Sequence, residues 1–335
     1  VFIAPKYEIE IFALAWGVLL AGFIQLLIQI APLRSINRLP VPKLNFKNEG
    51  VKKFFIVIFP AILAGGIIQI NLLIDTIFAS LLETGSPTWL YVSDRLVQFP
   101  MGIFAIGIGT VLLPTLSKLD VIKERQIFIN TLQKGQRFVL FIGIPSLVGL
   151  MFCAEDIISA IFYRGEFTQL DVFKSSYSLI AFSFGLPFFM LMKVLTPAFF
   201  AQKNTKTPMY VAILSLLLNA ALNYILAFVF GYGHVGIAIG SSISALISVF
   251  ILEIILYKDG FIEIKSIFNR FNCMVLLSSI SLIIFLYFYT SWINFMELSQ
   301  IERIFYLLAE IIISIIIYFS VARLIYKQPL KEILN

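Results

Sequence analysis

Ionisable side chains buried in long apolar stretches are where this sequence can do chemistry. Each is expensive in hydrocarbon unless paired or wetted, so each marks a candidate site. Asp94, Arg95 and Gln98 fall in the segment 89–100, with Gln98 at i+4 from Asp94 and i+3 from Arg95. That spacing puts all three on one helix face. A guanidinium there suits an anion in a water-filled cavity. The competing reading is that Arg95, about 9 Å from the nearer span end by helix rise, snorkels to the surface. Lys193 also lies inside an apolar stretch. Its side chain leans away from the nearer membrane face, which favours an ammonium directed into a cavity. Asn219 and Asn223 stand i, i+4 and align their amides, and Asp75 lies at a depth similar to that of Asn223. One carboxylate with amide oxygens can hold a small hard cation such as Na⁺, or Asp75 can carry a proton. The alternative is hydrogen-bond glue between packed helices.

These residues must be positioned by membrane helices. The chain is 60% hydrophobic and 13% charged, with mean hydropathy +0.96. A soluble domain of 335 residues cannot hide that much apolar surface, whereas a bilayer takes about 20 apolar residues per helix. Nine spans are predicted, at 8–31, 54–81, 89–116, 138–153, 175–201, 208–231, 235–257, 273–291 and 304–326. Helices are expected because hydrocarbon offers no water to satisfy backbone groups, and the short alternating strands of a barrel are not visible. The stretch 138–153 is short and either continues into 156–164 or ends in an interfacial turn. Most of the 25 Lys and Arg residues fall in alternate gaps, among them Arg34 and Lys43, Lys118 and Arg125, Lys203, Lys265, and Arg323. Cationic loops stay cytoplasmic, so the C-terminus is expected inside and the N-terminus outside. Charge scattered over short loops argues against a nucleic-acid surface. Trp89 and Trp292 sit at outer span ends, where interfacial aromatics are expected.

Several spans carry breakers: Pro60 with Gly65 and Gly66, Pro100 with Gly102, Pro145, Pro187 and Pro197. Proline frees carbonyls and kinks helices, and a set of such spans suits helices bent around a cavity, as in transporters. Gly236 and Gly240 with Ser241, Ser242 and Ser244 read as close-packing positions. His234 reads as a loop histidine, Cys153 and Cys273 as isolated thiols, and Glu310 has no assignable partner. There is no phosphate loop, zinc motif or nucleophile elbow, so no cofactor and no bound-ATP chemistry is expected.

The segments 69–80, 91–102, 107–117, 193–201 and 204–208, in that order and spacing, resemble the MurJ (MviN) lipid II flippases, a likeness running to about residue 257. The resemblance implies an all-α polytopic membrane protein of the multidrug/oligosaccharidyl-lipid/polysaccharide exporter fold, with two six-helix lobes and two appended C-terminal helices. On that template, residues 1–52 are the last helix of the first lobe and a cytoplasmic linker. Residues 53–257 are a complete second lobe, and 258–335 the appended helix pair and tail. Five upstream helices are expected, in line with an outward N-terminus, no signal peptide and an initial Val1. The resemblance makes Asp94 and Arg95 the acidic–basic pair of a central cavity, Asp94 holding Arg95 in place, with Gln98 standing where many relatives have Glu. It implies flipping of undecaprenyl-diphosphate-linked muropeptide (lipid II) across the bacterial inner membrane, with Arg95 and Lys193 on the head group. Asp75, Asn219 and Asn223 are then the candidate site for Na⁺ or H⁺ as coupling ion. Cell-wall synthesis proteins are the implied protein partners, and membrane lipids the surroundings. A related exporter of drugs or polysaccharide lipids and a non-transporting cell-wall scaffold are the other readings.

Overall fold

The computed structural model describes residues 11–35, 66–67, 69–121, 123–262 and 270–326. All regular structure among them is helical. Helix α1 is Ile11–Ser35 and α2 covers 69–80. Then come α3 (Ser86–Pro100), a π segment (Met101–Ile106), α4 (Gly107–Ser117), α5 (Arg125–Phe152), α6 (Ala154–Phe162) and α7 (Gln169–Ala201). They are followed by α8 (Lys206–Tyr224), a second π segment (Ile225–Val229), α9 (Gly233–Lys258), α10 (Arg270–Trp292), a 3₁₀ turn (Phe295–Glu297) and α11 (Gln300–Ile325). Eight helices among the described residues are long and apolar enough to cross a membrane. Most of the predicted span 54–81 lies outside the described residues, as do Pro60 and Gly65. Helix α1 belongs to one compact unit, Val1–Pro60, and the other helices to a second, Ala61–Asn335.

In the second unit α7 is the central helix. It packs on α3, α4, α5, α6 and α9, and its sequence explains why. Small residues Ser175, Ser176, Ser178, Ala181, Ser183 and Gly185 are buried along it and let neighbours approach closely. Its start is fixed by a capping box: Thr168 Oγ1 accepts from the Asp171 amide while Asp171 accepts from the Thr168 amide. Helix α11 starts the same way, with Ser299 and Glu302. The α10–α11 pair packs on α5 and α6.

The breakers act unequally. Pro100 and Gly102 coincide with a π segment, where one extra residue per turn widens the helix. Pro145, Pro187 and Pro197 stay inside continuous α-helices. The short stretch 138–153 is the end of a much longer helix, since α5 starts at Arg125. Its first turns are held without hydropathy: Arg125 Nη2 donates to the Asp259 carbonyl at 2.6 Å, and the Phe128 and Phe261 rings lie 5.2 Å apart. At Cys153 the chain turns and resumes as α6, so the stretch both turns and continues into 156–162.

One aromatic expectation is corrected. Trp292 is 92% exposed, as an interfacial residue should be, but Trp89 is only 2% exposed. Its indole nitrogen donates to Asp171 Oδ1 at 2.7 Å and its ring sits 4.8 Å from that of His234. Gly85, at φ +104°, makes room, since a Cβ there would lie 2.6 Å from the Trp89 ring. His234 is likewise buried, its Nε2 3.0 Å from the Lys174 carbonyl, so it ties α9 to α7 rather than sitting in a loop.

Candidate functional site

The polar residues singled out on α2 and α3 converge on one hollow of about 840 Å³. Helix α2 contributes Leu72, Asp75, Thr76 and Ala79, spaced to form a single face. Helix α3 contributes Thr88, Tyr91, Asp94, Arg95 and Gln98, again one face. Its opposite face is pinned to α7, where buried Ser93 donates to the Ser175 carbonyl at 2.7 Å. Phe182 and Phe189 of α7 and Ile237 and Ser241 of α9 close the wall.

On α3 the three polar side chains form a relay. The Gln98 amide nitrogen donates to Asp94 Oδ2, and Arg95 Nη1 donates to Gln98 Oε1 at 3.2 Å. The Arg95 guanidinium lies over the Tyr91 ring, 4.9 Å from its centroid. Asp94 therefore does not hold Arg95 directly, contrary to expectation. Neighbours i, i+1 diverge by about 100° round a helix, so Gln98, one turn on with one donor and one acceptor end, bridges them along their shared face. An amide can do this where a carboxylate could only accept.

A second chain runs from the hollow into the protein. Asn223 Nδ2 donates to Asp75 Oδ1 at 2.6 Å and to Asn219 Oδ1 at 2.9 Å, and Asn219 Nδ2 donates to Ser241 Oγ at 2.9 Å. Asn219 and Asn223 are fully buried. The structure thus joins the three predicted residues and adds Ser241, read from sequence as packing only. As the amides stand, the Asn223 N–H groups face the carboxylate, which is the arrangement of interhelical hydrogen bonding. A cation would need the Asn223 oxygen turned inward beside Asp75 Oδ1 and Asn219 Oδ1. Gly236 and Gly240, i and i+4 on α9, make this packing possible. A Cβ at Gly236 would stand 2.7 Å from the Ala227 nitrogen in the second π segment, and one at Gly240 would overlap Asn223 Oδ1. Gly240→Ala is expected to push the Asn223 carboxamide off Asp75 and to cost about 1–3 kcal/mol of stability, read as a lowered unfolding midpoint.

Lys193 is not brought to this wall. It lies one turn beyond Phe189 on the same face of α7, half-buried. Helix α4 packs against its backbone, the Lys193 carbonyl lying 2.9 Å from where a Cβ on Gly109 would be. Among the described lining residues Arg95 is the one cation, set against the carboxylates of Asp75 and Asp94, so the described wall does not join the two cations, Arg95 and Lys193, expected on the head group. Asn71 also lines it, and its Oδ1 has no partner among the described residues. Its spacing of four from Asp75 was the signal that could have found it.

A sequence model described as lipid II flippase MurJ matches residues 1–307. The chain belongs to the lipid II flippase MurJ family. It is 42% identical over 259 residues to the probable lipid II flippase MurJ of Vibrio cholerae serotype O1, covering 77% of this chain and 49% of that protein. It is 37% identical over 324 residues to the corresponding Haemophilus influenzae protein, covering 95% of this chain and 63% of that one. The chain thus spans about half to just under two thirds of the length of these curated relatives. A solved lipid II flippase MurJ in an inward closed conformation matches with TM-score 0.71 at 28% identity, over 88% of this chain and 58% of that chain. A eukaryotic MATE transporter shares the fold, with TM-score 0.55 at 17% identity over 69% of this chain and 52% of that one. With its spanning helices, membership of the MurJ family makes this a multi-pass inner-membrane protein of a transporter family.

Proposed function

We propose that this chain serves the translocation of lipid II from the inner to the outer leaflet by alternating access. The carrying observation is Arg95, held by Gln98 and Tyr91 on the wall of an 840 Å³ hollow in a chain of the MurJ family. A diphosphate crossing hydrocarbon needs its water replaced by fixed donors, and a guanidinium offers a planar pair. Lys193, on the same face of α7 one turn on, is the second contact as the head group advances. Asp75 with Asn219 and Asn223 is the proposed coupling site: turning the Asn223 amide exchanges a hydrogen bond for a Na⁺ or leaves Asp75 to take a proton. The C-terminus is assigned to the cytoplasm from the Lys and Arg distribution, and cell-wall synthesis proteins are the partners this activity implies.

The acidic balance of the wall favours one other reading, export of an organic cation. Proteoliposomes of the protein expressed from its native reading frame separate the two. Labelled lipid II is expected to reach the far leaflet, while a lipophilic cation is not accumulated. Cation transport without lipid II movement would replace the first reading by the second.

A further inference from the structure

A second hollow, of about 410 Å³, opens where α6 meets the α10–α11 connection, and it shares no lining residue with the first. The cation distribution places this end of the bundle outside. Its wall offers acceptors and almost no free donors. Thr290 Oγ1 donates to the Leu286 carbonyl at 2.9 Å and Ser291 Oγ to the Tyr287 carbonyl at 2.5 Å, so both hydroxyls turn lone pairs to the hollow. Asn294, also on the wall, is tied locally at both ends, its nitrogen donating to Glu297 Oε1 at 2.8 Å and its Oδ1 accepting from the Met296 amide at 3.2 Å.

The wall is also acidic and uncompensated. Glu155 and Asp156 line it, and Asp156 is only 7% exposed. Asp156 Oδ2 meets no donor among the described residues. Behind it lies Glu310, fully buried, with one oxygen taking a weak hydrogen bond from Cys153 Sγ at 3.2 Å and the other unpartnered. None of the three forms an ion pair among the described residues. Burial, with the charges of Glu310 and Glu155, pushes the Asp156 carboxyl up to about 8, so on its own it favours the protonated form, and a cation seated beside it would restore the carboxylate. A nearby cation, Arg303, gives its donors to backbone instead: Nε to the Phe295 carbonyl at 2.8 Å and Nη2 to that of Met296 at 3.2 Å. These bonds, with Gln300 Nε2 on the Ala160 carbonyl at 2.6 Å, fix the back of the pocket. It is built, and it presents buried acceptors without a cation to match, which is costly unless a ligand supplies one.

We propose that this pocket binds an alkylammonium group, with Asp156 as counter-charge and Thr290 and Ser291 as neutral acceptors. Three N–H donors on one carbon stem match that wall, and the Phe152 and Phe295 rings suit the stem and the charge. A metal ion fits less well, since no group of three His, Cys, Asp or Glu side chains among the described residues can hold one. The pocket lies within the size range of small-molecule sites, about 300–1,000 Å³. Between the lining residues Ser291 and Ile293 the chain carries Trp292, 92% exposed, a residue type that sits at the membrane–water boundary. The ammonium can therefore arrive on a lipid head group or free in water.

The test is thermal unfolding of the protein expressed from its native reading frame, in nanodiscs of phosphatidylglycerol with and without phosphatidylethanolamine, and in phosphatidylglycerol nanodiscs with added ethanolamine. The ethanolamine lipid, the free amine or both are expected to raise the midpoint by at least about 2 °C. A rise with the lipid alone identifies the head group as the source; a rise with both identifies a free amine site. Phosphatidylcholine and choline, which have no N–H donor, are expected to give no rise. The rise is expected to vanish in Asp156→Asn and to shrink in Thr290→Val, which keeps the wall's shape and decides the matter if Asp156→Asn does not fold. No rise with either amine, an equal rise with choline, or an undiminished rise in the variants overturns the proposal.

Discussion

Arg95→Ala is expected to abolish lipid II translocation while leaving membrane insertion intact. Arg95 is the one cation among the described residues lining the large hollow, so no neighbour there can take over its contact with an anion. A hydrogen bond to a charged group contributes about 1.5–3 kcal/mol, so losing a two-pronged contact costs about 3–6 kcal/mol, a fall of about 100-fold or more. Insertion is not at risk, because removing a charge from a span makes it more apolar. Arg95→Lys keeps the charge but loses the planar fork and the stacking on Tyr91, and an intermediate rate is expected. Lys193→Ala is expected to cost less than Arg95→Ala, since Lys193 lies a turn beyond the wall. The measurement is rescue of a strain depleted of its own flippase, paired with a leaflet-accessibility assay on labelled lipid II. Normal growth and translocation with Arg95→Ala would remove Arg95 from the mechanism.

Much of this arrangement could be read before any coordinates, and the parts that could not share a cause. Helix existence followed from hydropathy, which is why α7, α8, α9, α10 and α11 lie close to their predicted spans. The face shared by Asp94, Arg95 and Gln98 followed from spacing alone, as did the pairing of Asn219 with Asn223. Spacing does not say which end of an amide points where, so the bridging by Gln98 and the donor role of Asn223 had to come from geometry. Hydropathy fails where a helix leaves the apolar layer. The first turns of α5 carry Gln126, Asn130, Gln133 and Gln136 and are held by tertiary contacts of Arg125 and Phe128 with the end of α9. Trp89 was misplaced for a related reason: aromatic character at a span end is the same whether the ring meets lipid or, as here, His234 and Asp171. Glu310 shows the remaining limit, because its neighbour Cys153 is 157 residues away in the chain.

Asp75→Asn separates a coupling site from simple packing, and it does so because the replacement is nearly isosteric. The new amide oxygen can still accept from Asn223, so the chain through Asn219 to Ser241 is kept and the fold should hold. What disappears is the carboxylate, the one group of the four that can take a proton or draw in Na⁺. If Asp75 links ion occupancy to the motion of the cavity, the variant is expected to transport at a rate that no longer responds to an imposed Na⁺ or pH gradient. Linked sites are typically coupled by about 1–3 kcal/mol, so a response of about 5–150-fold should collapse towards unity. Asp75→Leu serves as the contrast: it removes both carboxylate and acceptor and strands the Asn223 donor in the interior, so stability should fall together with transport. The readout is initial translocation rate in proteoliposomes against each gradient, beside the unfolding midpoint of both variants. A gradient response retained in Asp75→Asn at unchanged stability would mean that the Asp75–Asn223 contact only joins α2 to α8, and the coupling ion would have to be sought elsewhere in the protein.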